Sequence, residues 1–267
     1  MLDRLRRPGD VARRPMPLRF FSRLTARERT RRTNRQLGCL LAFVAGAVNA
    51  GGFLAVQRYT SHMTGIVSAM ADDLVLGQLG LVLAGLAFLA AFMAGAATTA
   101  VLINWARRRG LHGEFALPVL VEAGLLLVFG LLGAYLNVLV ALFVPTTVLL
   151  LCFIMGLQNA IVTKISRAEI RTTHMTGVIT DLGIELGRWA YWNRSSGGGD
   201  PVRADRDRLA VLATILGLFL AGGIAGAAAF KALGYGAVLP IAAVLVAIST
   251  GPLWADARLL WRRRARR

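Results

Sequence analysis

The stretch Ser61-His62-Met63-Thr64-Gly65 recurs as Thr173-His174-Met175-Thr176-Gly177, each time after a helix-length apolar run that contains Asn-Ala. Ahead of the first copy stand Phe43, Gly46, Asn49 and Ala50, and 110 residues on, Phe153, Gly156, Asn159 and Ala160 stand ahead of the second. From the histidine onward the offset is 112, which carries His62, Thr64, Gly65 and Asp73 onto His174, Thr176, Gly177 and Glu185. A two-residue slip between matched blocks reads as a loop insertion inside a duplicated unit. Self-similarity at so long a period marks two copies of one half, a plan that several transporter folds use. Chemistry is expected where the halves meet.

The residues around those copies place the chain in a bilayer. Of 267 residues 56% are apolar, and the mean hydropathy is +0.59, whereas a soluble domain is roughly half apolar. The net charge of +17 points to nucleic acid until the charges are located. Residues 1–36 carry net +9 and residues 256–267 net +5. These basic tails flank apolar helices, as the cytoplasmic side of a membrane protein requires. No aromatic-interleaved or groove-reading motif accompanies them, so nucleic acid is not an expected partner. Anionic headgroups are, and Leu18-Arg19-Phe20-Phe21-Ser22-Arg23-Leu24 is an amphipathic piece that could lie on them. Arg31-Arg32 before an apolar run has the look of a twin-arginine export signal, but no small-residue cleavage site ends the run. Cys39 and Cys152 lie inside apolar runs, where packing is the expected role, and the pair supports neither a disulfide framework nor a metal site.

A hydrocarbon core ~30 Å thick needs about 20 apolar residues per helix. Six runs qualify, at roughly 37–56, 79–104, 117–136, 146–163, 209–230 and 236–253. The two His-Met-Thr-Gly segments, about 57–78 and 164–190, are too polar and too broken to read as spans. If neither crosses, Arg107-Arg108-Arg109, the cluster Lys164, Arg167 and Arg171, the cluster from Arg188 to Arg208 and both tails share one side. If both cross, the triple Arg and the Lys164 cluster move outside, against the positive-inside rule. The expectation is an all-α inner-membrane bundle with both termini cytoplasmic. A tail over 1–36 leads into repeat 1 over 37–136, then repeat 2 over 137–255, then a tail over 256–267. Three spans per repeat is an odd number, so the second copy is inverted, and each repeat adds one re-entrant half-helix.

Thr-Gly followed by Ile66-Val67-Ser68 or Val178-Ile179-Thr180 reads as a helix start with Ser61 or Thr173 as cap. From Thr64 to Gly77 such a helix rises ~21 Å, from mid-membrane back to the surface it came from. The two starts are expected to approach each other near the bilayer centre. Their free N–H groups, with Gly65, Gly177, the Thr64 and Thr176 hydroxyls and the His62 and His174 imidazoles, form the expected substrate site, with close helix packing as the alternative. Asn49 and Asn159, candidates for the same substrate site or for structural glue, need partners deep in lipid, and the backbone groups of the broken segments are the nearest source. Asp73 and Glu185 fall at the surface ends of the half-helices, where they are either solvated or part of a gate or proton relay, and Asp181 precedes Glu185 by a turn. Glu122, the one acid in the six runs, is close enough to the cytoplasmic end to reach water, yet intramembrane carboxylates are functional candidates, so Glu122 and Asp181 join Asp73 and Glu185 as candidates for gating or a proton relay.

No enzyme is expected. Gly-x-Ser-x-Gly, His-Glu-x-x-His and Cys-x-x-Cys are all missing. With His112 in a loop, only His62 and His174 remain for a dyad or a metal, and a separation of 112 residues carries no ligand-spacing information. No cofactor and no metal are therefore expected.

The segments Gly46-Ala47-Val48-Asn49-Ala50 with Ser61-His62-Met63-Thr64-Gly65, and Gly156-Leu157-Gln158-Asn159-Ala160 with Thr172-Thr173-His174-Met175-Thr176-Gly177, resemble the YoaK-like family of bacterial membrane proteins. The resemblance runs over about residues 37 to 255 and implies a membrane location and six spans, without an activity. The family's first copy often has Asp-Ala and Thr-Gly-Asn where this chain has Asn49-Ala50 and Gly65-Ile66, a departure that counts against any role needing a charge at Asn49 or an amide at Ile66. The expected function is a transporter or channel for a small solute, an anion among the candidates. The competing class is a scaffold or lipid-interacting subunit, with an intramembrane enzyme using His62 and His174 a distant third, and self-association into a homo-oligomer is compatible with the first two.

Overall fold

The computed structural model describes residues 30–56, 59–134, 140–165, 175–191 and 201–264. The helices are α1 (Arg31–Val56), α2 (Met63–Val75), α3 (Leu79–Arg108), α4 (Ala116–Ala134), α5 (Val140–Ile165), α6 (Met175–Ala190), α7 (Arg206–Leu233) and α8 (Val238–Arg264), with a 3₁₀ turn Gly234–Ala237 before α8. No strand occurs among the described residues. Each of the six apolar runs became a long helix. Five stretches are long and apolar enough to cross a membrane, and the last, Arg206–Arg258 at 53 residues, contains both α7 and α8. The chain is a helical membrane protein. Two boundaries differ from the reading of the tails: α1 begins at Arg31 and α8 continues to Arg264, so both basic segments are partly helical.

At 13 and 16 residues, α2 and α6 rise only ~20 and ~24 Å, short of a ~30 Å hydrocarbon core. The six long helices make the bundle, and glycine contacts fix how they run. On α1, a Cβ at Gly46 would strike the Phe219 carbonyl of α7, while Gly222 and Gly226 of α7 lie over the Phe43 and Ala47 carbonyls. Both numbers increase together, so α1 and α7 are parallel. In the same way Gly156 of α5 meets the Phe92 carbonyl of α3, and Gly95 of α3 meets the Phe153 carbonyl of α5. Where α7 has Gly226, α3 has Thr99, whose hydroxyl donates to the Leu157 carbonyl at 3.0 Å. Such small-residue crossings let backbones approach closely, so that van der Waals packing and interhelical hydrogen bonds hold the helices together where the hydrophobic effect no longer does.

The remaining pair, α4 and α8, is antiparallel. Gly130 and Gly133 receive Val238 and Tyr235 at one end. At the other, Asp256 accepts the His112 and Gly113 N–H groups at 2.7 and 2.8 Å. Phe230 at the end of α7 sits 6.2 Å from Phe129 near the end of α4, and Arg107 of α3 pairs with Glu114 just before α4 at 2.7 Å. Hence α1, α4 and α7 point one way and α3, α5 and α8 the other. Among the described residues every Arg and Lys except Lys231 lies at the end holding the start of α1 and the α3–α4 link.

Burial repeats along the chain as the residues do. Leu37, Leu41, Val44, Ala45, Val48 and Gly51 of α1 are buried, and so is each residue 110 further on in α5. Gly85, Gly95, Thr99 and Ile103 of α3 match Leu212, Gly222, Gly226 and Phe230 of α7 at an offset of 127. On α4 the buried stripe Val119, Glu122, Leu126 and Phe129 matches Ala242, Leu245, Ser249 and Pro252 of α8 at 123.

Candidate functional site

After α1 the chain turns back into the bundle. Tyr59 stacks on Phe53 with ring centres 4.4 Å apart, and the Ser61 hydroxyl donates to Asn49 Oδ1 at 2.7 Å. Asn49 is seven residues short of the end of α1, ~10 Å along the helix, so this link descends beside α1 before α2 rises. Asn49 thus finds the partner that its depth demands, in a side chain rather than in backbone. Ser61 is consequently not the helix cap. His62 is, and its side chain makes no capping bond; its ring lies over Gly65 instead, where a Cβ would come within 2.6 Å of Nδ1. A hairpin through Gly77, at φ +72°, then returns the chain down α3. That left-handed backbone suits glycine because it has no Cβ.

Met70 packs on Gly85 across the α2–α3 hairpin. Equal rises counted back from that contact bring Met63 level with Phe92, the middle of α3 and its crossing with α5. The His-Met-Thr-Gly stretch therefore begins at half-height. On α6 the corresponding count from the Glu185 bond to the Asp205 N–H, 2.9 Å, brings Met175 level with Ile215, four residues short of Phe219.

The two half-helices differ in what covers them. None of α2 is buried, and Ile66, Ala69, Met70 and Asp73 line a cavity of about 290 Å³ against Phe88 and Val148. A second cavity, about 210 Å³, shares Ile66, Ala69, Phe88 and Val148 and reaches Tyr59, Thr60 and His62. Together they form one groove from half-height to the less basic end. At the matching places on α6, 112 residues on, Val178 and Glu185 are buried. Glu185 accepts from Arg188 at 2.9 Å and from the Asp205 N–H, with Arg208 at 3.8 Å, while Arg208 pairs with Asp181 at 3.0 Å.

Several expectations for the candidate residues change. Glu185, read as either solvated or part of a gate, is 1% exposed, because α6 turns it under α7 and two guanidinium groups reach it. Asp73 is half-buried in the groove wall. Glu122 does not reach water: it is fully buried and both its carboxylate oxygens lack a hydrogen-bond partner, since its register places it on the same stripe as Val119 and Leu126. Asn159 is buried. Thr64, Thr176 and Gly177 are exposed on their helices, and His174 and Thr173 lie outside the described residues. The two helix starts, expected to approach each other, are not packed extensively on one another; α2 packs on α3 and α6 on α7, because each is tethered to the long helix that follows it in the chain.

Sequence reading missed Arg208, Tyr59, Thr60 and Gln158. The signal for Gln158 was present, as a second amide beside Asn159 in an apolar run. Arg208 gave none, being separated from Glu185 by a long link. Among the described residues no three His, Cys, Asp or Glu side chains gather as a metal site. No curated protein and no solved structure matches the chain. The family model described as "Protein of unknown function (DUF1275)" matches residues 37–251, most of the molecule and all of this site, and the chain belongs to that family.

Proposed function

We propose that the protein is an inner-membrane transporter of a small solute, built from two three-span halves of opposite orientation, each carrying one half-length helix. One observation carries the reading: Ile66 and Asp73 line an open groove, while their counterparts Val178 and Glu185 are buried, Glu185 in ion pairs with Arg188 and Arg208. In a molecule of two inverted halves, one side open and the other shut describes one end of an alternating-access cycle, and exchanging the two conformations gives the other end. The helix directions support the inversion, since α1 and α5, α3 and α7, and α4 and α8 are the matched pairs and each pair runs oppositely. The basic end belongs in the cytoplasm by the positive-inside rule, which turns the open groove outward and lays the Arg-rich segments against anionic headgroups. The resemblance to YoaK-like proteins is consistent with this location.

The groove favours a small, partly apolar solute. Phe88, Val148 and Ala69 supply its walls and His62, Tyr59 and Thr60 its inner polar end. The unbonded N–H groups at the start of α2 favour an anionic or polarised oxygen there.

Thiol labelling tests the pathway in a chain lacking Cys39 and Cys152. Thr64→Cys and Thr176→Cys are expected to react with a membrane-impermeant reagent from opposite faces of sealed vesicles. Failure of both positions to react from either face contradicts a pathway and leaves a packed scaffold.

A further inference from the structure

Outside the groove, Glu122 is the feature that packing does not explain. Its carboxylate is fully buried with neither oxygen hydrogen-bonded, and Gln158 on α5, also fully buried, has both amide atoms unpartnered. The helices α4 and α5 that carry them pack together and supply one core. The molecule contains its own control: the position matching Glu122 in the second half is Leu245, and the one matching Gln158 in the first is Val48, both buried. The fold thus builds the same two places from apolar residues, so neither polar group is needed for shape. An ionised carboxylate with no partner in such surroundings costs more than any interaction there returns.

We infer that Glu122 is a proton-binding site in the bundle core, exchanging its proton with the basic end of the molecule. Glu122 stands six residues into α4, ~9 Å from its first turn, so the route to that end is short. The elements packed on α4 offer no competing counter-charge. Arg107 of α3 is held by Glu114, and Asp256 of α8 by the His112 and Gly113 N–H groups. Arg108 of α3, Lys164 of α5 and Arg258 of α8 are exposed at the helix ends. Tyr235 of the 3₁₀ turn packs on Phe129 at the far end of α4. No described cation lies in ion-pair reach of Glu122. That the proton drives solute movement rests on the transport reading above; that Glu122 binds it does not.

Infrared difference spectroscopy on the full chain in liposomes, stepped from mildly acidic to alkaline buffer, tests this. The wild type is expected to show the carbonyl stretch of a buried carboxylic acid that fades on alkalinisation, and Glu122→Gln to lose it entirely. Identical wild-type and Glu122→Gln spectra throughout, or a band that ignores pH, overturn the inference. Loss of the band on adding sodium or potassium at constant pH also overturns it, in favour of a metal cation. As a second variant, Glu122→Leu copies Leu245 and is expected to melt no lower than wild type; a variant that fails to fold reveals a structural partner and sinks the proposal. A titrating band beside unreactive Thr64→Cys and Thr176→Cys removes the transporter and keeps the proton site.

Discussion

Alanine at Gly46 or Gly156 probes the two crossings on which the bundle is hung. At Gly156 the new Cβ lands on the Phe92 carbonyl, and at Gly46 on that of Phe219. Both obstacles are backbone, so no rotamer change relieves them and the helices must part. Overpacking of this kind costs about 1–3 kcal/mol, and breaking each Cα–H···O interaction adds ~0.5–1 kcal/mol. Better helix propensity of Ala returns about 1 kcal/mol, leaving a net loss of roughly 0.5–3 kcal/mol. For a chain of this size each kcal/mol lowers Tm by roughly 2–4 °C, so thermal unfolding in detergent, followed by circular dichroism, is expected to fall by about 5 °C for either variant. Gly183→Ala and Gly187→Ala on α6, where a Cβ meets nothing within 4 Å, are the controls and should hold or gain stability. Gly46→Ala behaving like Gly187→Ala, or one crossing tolerating Ala while the other does not, refutes the equivalence of the two helix pairs.

Three further outcomes follow from the site. Ser61→Ala leaves Asn49 Oδ1 without its donor and should cost ~1–3 kcal/mol, an effect that a double-mutant cycle with Asn49→Ala should show to be shared rather than additive. Gly65→Ala pushes on the His62 ring, so its loss of thermal stability should shrink when His62→Ala is added; equal losses in both backgrounds contradict the ring's placement. Arg208→Ala removes an exposed ion pair worth up to about 1 kcal/mol and leaves Glu185 held by Arg188 and the Asp205 N–H. Little change in Tm is therefore expected, with faster thiol labelling of Val178→Cys from the basic side.

The six long helices were legible from the length of their apolar runs, and the two short ones from the duplicated His-Met-Thr-Gly stretch, because only three histidines occur in the chain and the return of one in the same setting stands out. The match of α3 to α7 was not legible. It rests on Phe92 and Gly95 against Phe219 and Gly222, four residues of types common in any membrane helix, and only the crossing with α1 or α5 gives them meaning. Depth along a helix was readable from counting; the direction a side chain faces was not. Glu122 lies near a helix end, which by sequence offered it water, but a glutamate is too short to climb out as lysine or arginine can, and its register turns it inward. For α2 and α6 the residues specify a helix start but carry no trace of the neighbour it packs on, which is set by the hairpin at Gly77 and by the link after α6.

The opposite orientation of the two halves is tested most directly by the surface ends of the half-helices. In a chain without Cys39 and Cys152, Gln78→Cys follows α2 and Tyr191→Cys follows α6. In sealed vesicles of known sidedness, an impermeant thiol reagent is predicted to reach Gln78→Cys only from the face opposite Arg107 and Lys164, and Tyr191→Cys only from the face they share. Labelling of both cysteines from one face contradicts the account.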